Sequence, residues 1–212
     1  MNANAEPRPL PQQDRSLRTY ERLLDVTSAL LAEVGIERIS TNMICARAGM
    51  TTPAFYRYFK DKFAIVEALS QRLMDRQFVV VKAWLERHAP NGIGAIAAHV
   101  EELLRALAGV TAAQPGAIWV FRAMRATPCL SQVRLASHAR VAEQLSQVYA
   151  PLMPGVPLDM IRIRTRIAVE FAYATDEMIA ETPEANLDRI FYEAGRILGD
   201  MFYFAEHPRR RD

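Results

Sequence analysis

The chain is poor in cysteine, with Cys45 and Cys129 the only two in 212 residues. Two thiols build no disulfide framework, so a small disulfide-stapled scaffold is excluded. Histidine is scarce as well: His88, His99, His138 and His207 show no HxxxH or other metal-ligand spacing, and neither a metal nor another cofactor is expected. No run of 18 apolar residues occurs, which argues against a membrane-spanning helix. The opening MNANAEPRPLPQQDR lacks the apolar segment of a secretion signal, so a cytoplasmic location is expected. No nucleophile stands beside a base, and Glu101, Glu102, Glu170, Asp176 and Glu177 read as helix-surface charges; the sequence does not read as an enzyme. The glycines Gly92 and Gly94 have no strand before them and no βαβ unit around them, so they fail as a dinucleotide loop. A net charge of +2 is by itself a weak signal for nucleic acid.

What is present is helical periodicity, with no convincing strand. Apolar residues recur at three- and four-residue spacing over about nine segments: 16–34, 41–48, 52–58, 62–88, 93–112, 117–126, 130–150, 158–180 and 183–205. Gly, Pro and Asn punctuate them, as in Pro90-Asn91-Gly92 and Gln114-Pro115-Gly116. The expectation is an all-α chain: a Pro- and Gln-rich disordered tail over 1–14, a three-helix unit over 15–61 and a larger helical unit over 62–212. Charge is unevenly placed. From Arg15 to Lys62 there are eight Lys and Arg against five acids, a surplus of three that exceeds that of the whole chain. Such a split favours a local phosphate-binding face. Arg15 and Arg18 are candidates for a basic arm near a minor groove, or simply the frayed start of the first helix.

The most informative stretch is Ser40 to Lys62, STNMICARAGMTTPAFYRYFKDK. Ser40 stands where an N-cap favours Ser or Thr. Ile44, Cys45 and Ala48 form one buried stripe, and Gly49 falls where a left-handed C-cap needs a residue without a Cβ. Thr51 or Thr52 caps a second helix with Pro53 in its first turn, where a missing N–H costs nothing. That helix buries Phe55 and Phe59 and shows Thr52, Ala54, Tyr56, Arg57 and Tyr58 outward: a helix-turn-helix. A helix in the major groove brings small or hydrogen-bonding residues at its start to the base edges. Thr52 can bond a base, while Pro53 and Ala54 can touch a thymine methyl. Tyr56, Arg57 and Tyr58 can reach phosphates, which set register. Ser40, Thr41 and Lys62 add phosphate donors at two helix starts, and Asn42 has the chemistry to read adenine but is short.

From Gly35 to Leu69 the chain resembles the DNA-binding domain of TetR-family transcriptional regulators. The matching elements are the Gly35-Ile36 exit from the first helix, Ala48-Gly49-Met50, the run from Thr51 to Phe59, and Lys60-Asp61-Lys62 opening a long helix. Beyond Leu69 the likeness is one of length and helical layout. The resemblance implies a homodimer, an operator of double-stranded DNA, and a small-molecule effector whose binding moves the long helix. A repressor is the leading expectation; an activator of the same architecture and a helical protein-interaction module without DNA binding are the alternatives.

Candidates for the pocket of a hydrophobic effector are Phe78, Trp84, His99, Trp119, Phe121, Arg122, Met124 and His138, apolar surface with a few polar anchors. Arg122, between aromatic neighbours, is a candidate carboxylate anchor. The last two helices carry more apolar surface than a lone pair can hide, and Ile167, Phe171, Met178, Phe191, Leu198 and Phe202 are candidates for a two-fold interface.

Overall fold

The structure is a computed structural model that describes residues 14–182 and 186–203. Within them are ten α-helices, two single 3-10 turns and no strand. The predicted tail over 1–14 lies almost wholly outside the described residues, as do Phe204 and both ends of the last predicted helix.

Helix α1, Asp14–Arg38, is interrupted at Gly35 (φ 74°), so its regular part ends at Val34 and a short turn follows. Helix α2, Thr41–Ala48, starts at Ser40, whose hydroxyl accepts from the Met43 amide at 3.3 Å, and stops at Gly49 in the left-handed region. Helix α3 is shorter than its periodicity predicts: Thr52–Tyr56. The Tyr58 amide bonds Phe55 O at 2.9 Å, so the last turn tightens and ends the helix before Tyr58. Asp61 then caps α4, Lys62–His88, accepting from the Ala64 amide at 2.8 Å.

Residues 93–112, expected as one helix, are two: α5, Ile93–Ala98, and α6, Val100–Ala112. The chain leaves helical geometry at His99 (φ −112°, ψ 16°), where nothing in the sequence breaks the pattern. Pro128, expected as a separator, is the first residue of α8, Pro128–Tyr149, a position its fixed φ suits. Helix α7 is Ala117–Ala126, α9 Leu158–Glu181 and α10 Leu187–Tyr203.

Two hydrophobic cores result. The first joins α1 to α3 with the N-terminal half of α4, around fully buried Leu23, Leu31, Ile44, Phe55 and Leu69, and takes in Val120, Phe121 and Met124 of α7. Phe59 completes it, with the Tyr20 ring stacked on it at 5.2 Å. The second lies between the C-terminal half of α4 and helices α5, α6, α8, α9 and α10. Helix α4, about 40 Å long at 1.5 Å per residue, belongs to both.

Helix α7 is pressed against α1. The Ser28 hydroxyl donates to Pro115 O at 2.6 Å, and the Trp119 ring lies against Gly35. Gly116 (φ +69°) sits so close to α1 that a Cβ would fall 2.8 Å from Ala32 N and Ser28 O.

Candidate nucleic-acid interface and ligand cavity

The helix-turn-helix is held from behind by packing and leaves its front free. Phe55 and Phe59 face inward, while Thr51, Pro53, Tyr56 and Arg57 are exposed and Thr52, Ala54 and Tyr58 half-exposed. From α2, Asn42 is exposed and Ser40 and Thr41 are half-exposed. The eleven predicted contact residues therefore all keep solvent-accessible surface, at the starts of α2 and α4 and along α3 and the turn that follows it. Three carry local duties. The Ser40 hydroxyl is used as the α2 cap. Tyr58 Oη lies 3.3 Å from Ser16 Oγ, tying the end of α3 to the start of α1. Lys62 Nζ donates to Ile39 O at 3.3 Å and sits over the Phe63 ring, which holds its ammonium beside the turn.

Ion pairing sharpens the positive face. Glu33 takes both terminal nitrogens of Arg47 at 2.7 and 2.8 Å, and Arg72 holds Glu21 and Asp25. Asp61 is spent as a cap. Among the described residues no carboxylate pairs with Arg57, Lys60 or Lys62. Four of the five acids of this unit are thus occupied, Glu37 being the exception among the described residues, and the cations around α3 are left for an anion.

Comparison with known proteins bears on the same stretch. Residues 23–69 match the family model described as bacterial regulatory proteins, tetR family. The N-terminal unit is a TetR-family domain. Over 66 residues the chain is 29% identical to the uncharacterised HTH-type transcriptional regulator YvdT of Bacillus subtilis (strain 168), 31% of this chain and 34% of that one. The chain thus spans about a third of the length of that relative. A transcriptional regulator from Pseudomonas aeruginosa PAO1 superposes with a TM-score of 0.70 at 18% identity, over 94% of this chain and 96% of that one. A TetR-family regulator from Syntrophomonas wolfei str. Goettingen gives 0.64 at 15% identity, over 94% and 100%. The all-α layout beyond the TetR-type domain is therefore a shared fold. No helix among the described residues is long and apolar enough to cross a membrane.

The second core holds an apolar cavity, open on one side, between α4, α6, α8, α9 and α10. Of the predicted pocket residues it takes Phe78, Trp84 and His138. The other five lie elsewhere. Phe121 and Met124 are fully buried in the first core, and Trp119 packs on Gly35. Arg122 is exposed, over the Trp119 ring and 3.5 Å from Glu181, so it cannot anchor a carboxylate in the cavity. His99 is exposed and stacks on His88, while its carbonyl accepts from Trp84 Nε1 at 3.0 Å; it positions a lining residue without lining.

Residues that sequence reasoning missed supply the polar part of the wall: Gln77, Ser137, Tyr173 and Asp176. Asp176 reads in the sequence as a surface charge, yet it is 6% exposed. Its Oδ2 accepts from Thr111 Oγ1 at 2.6 Å and Gln77 Nε2 at 2.8 Å. Burial lifts its carboxyl to about 6, partly offset by those two bonds. Burial also raises the Tyr173 phenol well above its usual range and lowers the His138 imidazole, although Glu170 at 3.1 Å pulls the latter the other way. The acidic spacing in the sequence carried one usable signal: Asp176 follows Tyr173 at i, i+3, on the inward side of an otherwise apolar stripe.

The predicted dimer residues divide as well. Phe191, Leu198 and Phe202 are buried in the chain's own second core and cannot face a partner. Ile167 and Met178 are exposed and Phe171 half-exposed. With Met160 and Ile163 (60% exposed), which sequence reasoning also missed, they form a single apolar stripe along α9, and Ile197 of α10 is exposed as well.

Proposed function

We propose that the chain is a homodimeric, ligand-responsive transcriptional regulator, a repressor released from a pseudopalindromic operator when a small apolar effector enters the α4–α10 cavity. The observation that carries this reading is the α3 face: a TetR-type helix start with Thr52, Pro53 and Ala54 accessible and Arg57, Lys60 and Lys62 unpaired beside it. Thr52 to Ala54 approach bases; Tyr56, Arg57, Tyr58, Lys62 and the α2 start with Ser40 and Thr41 hold phosphates.

The α9 stripe supports the dimer. Exposed Met160, Ile163, Ile167 and Met178 in line on one helix suit an isologous partner, and a two-fold pair reads half-sites roughly 34 Å apart. Coupling follows from α4, whose first residue is at the proposed DNA face and whose Gln77, Phe78 and Trp84 are at the cavity. An effector shifts operator affinity only if it favours one α4 placement over another.

Selection of bound duplexes from random DNA tests the reading, with a two-fold symmetric motif expected. Tyr56→Phe and Lys62→Ala then lower affinity for all duplexes, whereas Thr52→Ala changes preference among them. Added salt weakens binding steeply, since Lys and Arg displace counterions. Operator binding that survives all three substitutions unchanged refutes this placement of the reading helix.

A further inference from the structure

The cavity wall is apolar except at one place, and that place is unbalanced. Asp176 enters it from α9 with Oδ2 occupied and Oδ1 buried without a hydrogen-bond partner among the described residues. One turn earlier Tyr173 also lines the cavity, and its hydroxyl is buried without a partner among them. No Lys or Arg lines the cavity. The nearest cations stand behind the wall, each held by its own carboxylate. Arg125 and Arg134 lie over the Tyr173 ring and pair with Glu177 and Glu170, and Arg140 lies over the Phe78 ring and pairs with Asp75. Burial disfavours the charged form of His138, whose Nδ1 lies 3.1 Å from Glu170, a carboxylate behind the wall.

A buried carboxylate oxygen with no donor is costly, and a ligand that supplies the donor removes that cost. An anionic ligand would meet the opposite: a like charge and no cation to receive it.

We propose that the effector is an apolar molecule bearing a protonated amine, whose N–H groups donate to Asp176 Oδ1 and the Tyr173 hydroxyl while its apolar body fills the cavity. This rests on the cavity being the effector site.

The test uses the full chain and three probes of one skeleton: 4-phenylbutylamine, 4-phenylbutanol and 4-phenylbutanoate. Binding is read from the fluorescence of Trp84, with Trp119 replaced by Phe so that one indole reports. The amine is expected to bind at least ten-fold more tightly than the alcohol, and the carboxylate most weakly. Asp176→Asn, nearly isosteric, removes the charge and brings the amine down toward the alcohol's affinity, while the alcohol, which loses only the bond of a neutral donor, weakens far less. Tyr173→Phe costs the amine several-fold and the alcohol less, which guards against an Asn variant that misfolds. Equal affinity for the three probes, or preference for the carboxylate, overturns the amine assignment while the cavity reading stands. Failure of all three to bind removes the effector site itself and the assignment with it.

Discussion

Replacing Gly116 by alanine tests the seam between α7 and α1. The residue is at φ +69°, a conformation that costs a residue with a Cβ roughly 1–2 kcal/mol. Its Cβ would also stand 2.8 Å from two backbone atoms of α1, Ala32 N and Ser28 O, neither of which can rotate away. The turn must therefore lift off α1, weakening the Ser28 to Pro115 hydrogen bond, a further contribution of about 1 kcal/mol. A loss of about 2–4 kcal/mol is expected, read as a lower urea midpoint by circular dichroism with an unchanged slope. Gly109 is the internal control. It is an exposed helical glycine with open space where a Cβ would go, so Gly109→Ala gains up to about 1 kcal/mol. Opposite signs for the same chemical change are expected. A Gly116→Ala protein within about 0.5 kcal/mol of the parent would refute the close approach of α7 to α1.

Asp176→Asn stabilises the protein at pH 7.5, in the absence of ligand, by about 1–3 kcal/mol. The sign follows from a folded carboxyl at about 6 against an ordinary 3.8: ionisation is penalised in the fold above 6, and the penalty fades as pH falls toward 4. Thermal melts of both proteins from pH 7.5 to pH 4 check this, and an Asn advantage that grows on acidification contradicts it. Ile163→Glu, in the middle of the exposed α9 stripe, converts a dimer to a monomer at micromolar concentration with the helix content kept. Sedimentation of the variant and the parent reads it, and identical species count against that stripe as the interface. Phe55→Ala removes a fully buried ring beneath α3 and lowers stability by about 3–5 kcal/mol in the same urea assay.

Legibility in the sequence followed the range of the forces at work. The limits of α2 and α4 could be read because each is set within a few residues: Ser40 and Gly49 cap one, and Pro90-Asn91-Gly92 stops the other. The early end of α3 and the break at His99 could not, because neither leaves a Gly or Pro to mark it. The cavity was legible only in Phe78, Trp84 and His138, since its wall is assembled from five helices whose mutual rotation no local pattern fixes. Helix α10 shows the same limit. Its apolar residues form one wide face, and only packing decides that Leu198 near the middle goes inward while Ile197 at the edge remains outside. Asp176 was misplaced for a related reason: a charge beside Glu177 looks solvated until Thr111 and Gln77 arrive from other helices to bond it.

The first core does not stop where the helix-turn-helix stops. Helix α7 packs on α1 and places Val120, Phe121 and Met124 in the same core, so an excised headpiece ending within α4 would present a bare patch to water. Grafting this headpiece onto a different sensor would accordingly require carrying α7 along, or resurfacing the α1 side it shelters. A chimera joined at α4 alone should be prone to clumping even with the whole helix-turn-helix in place.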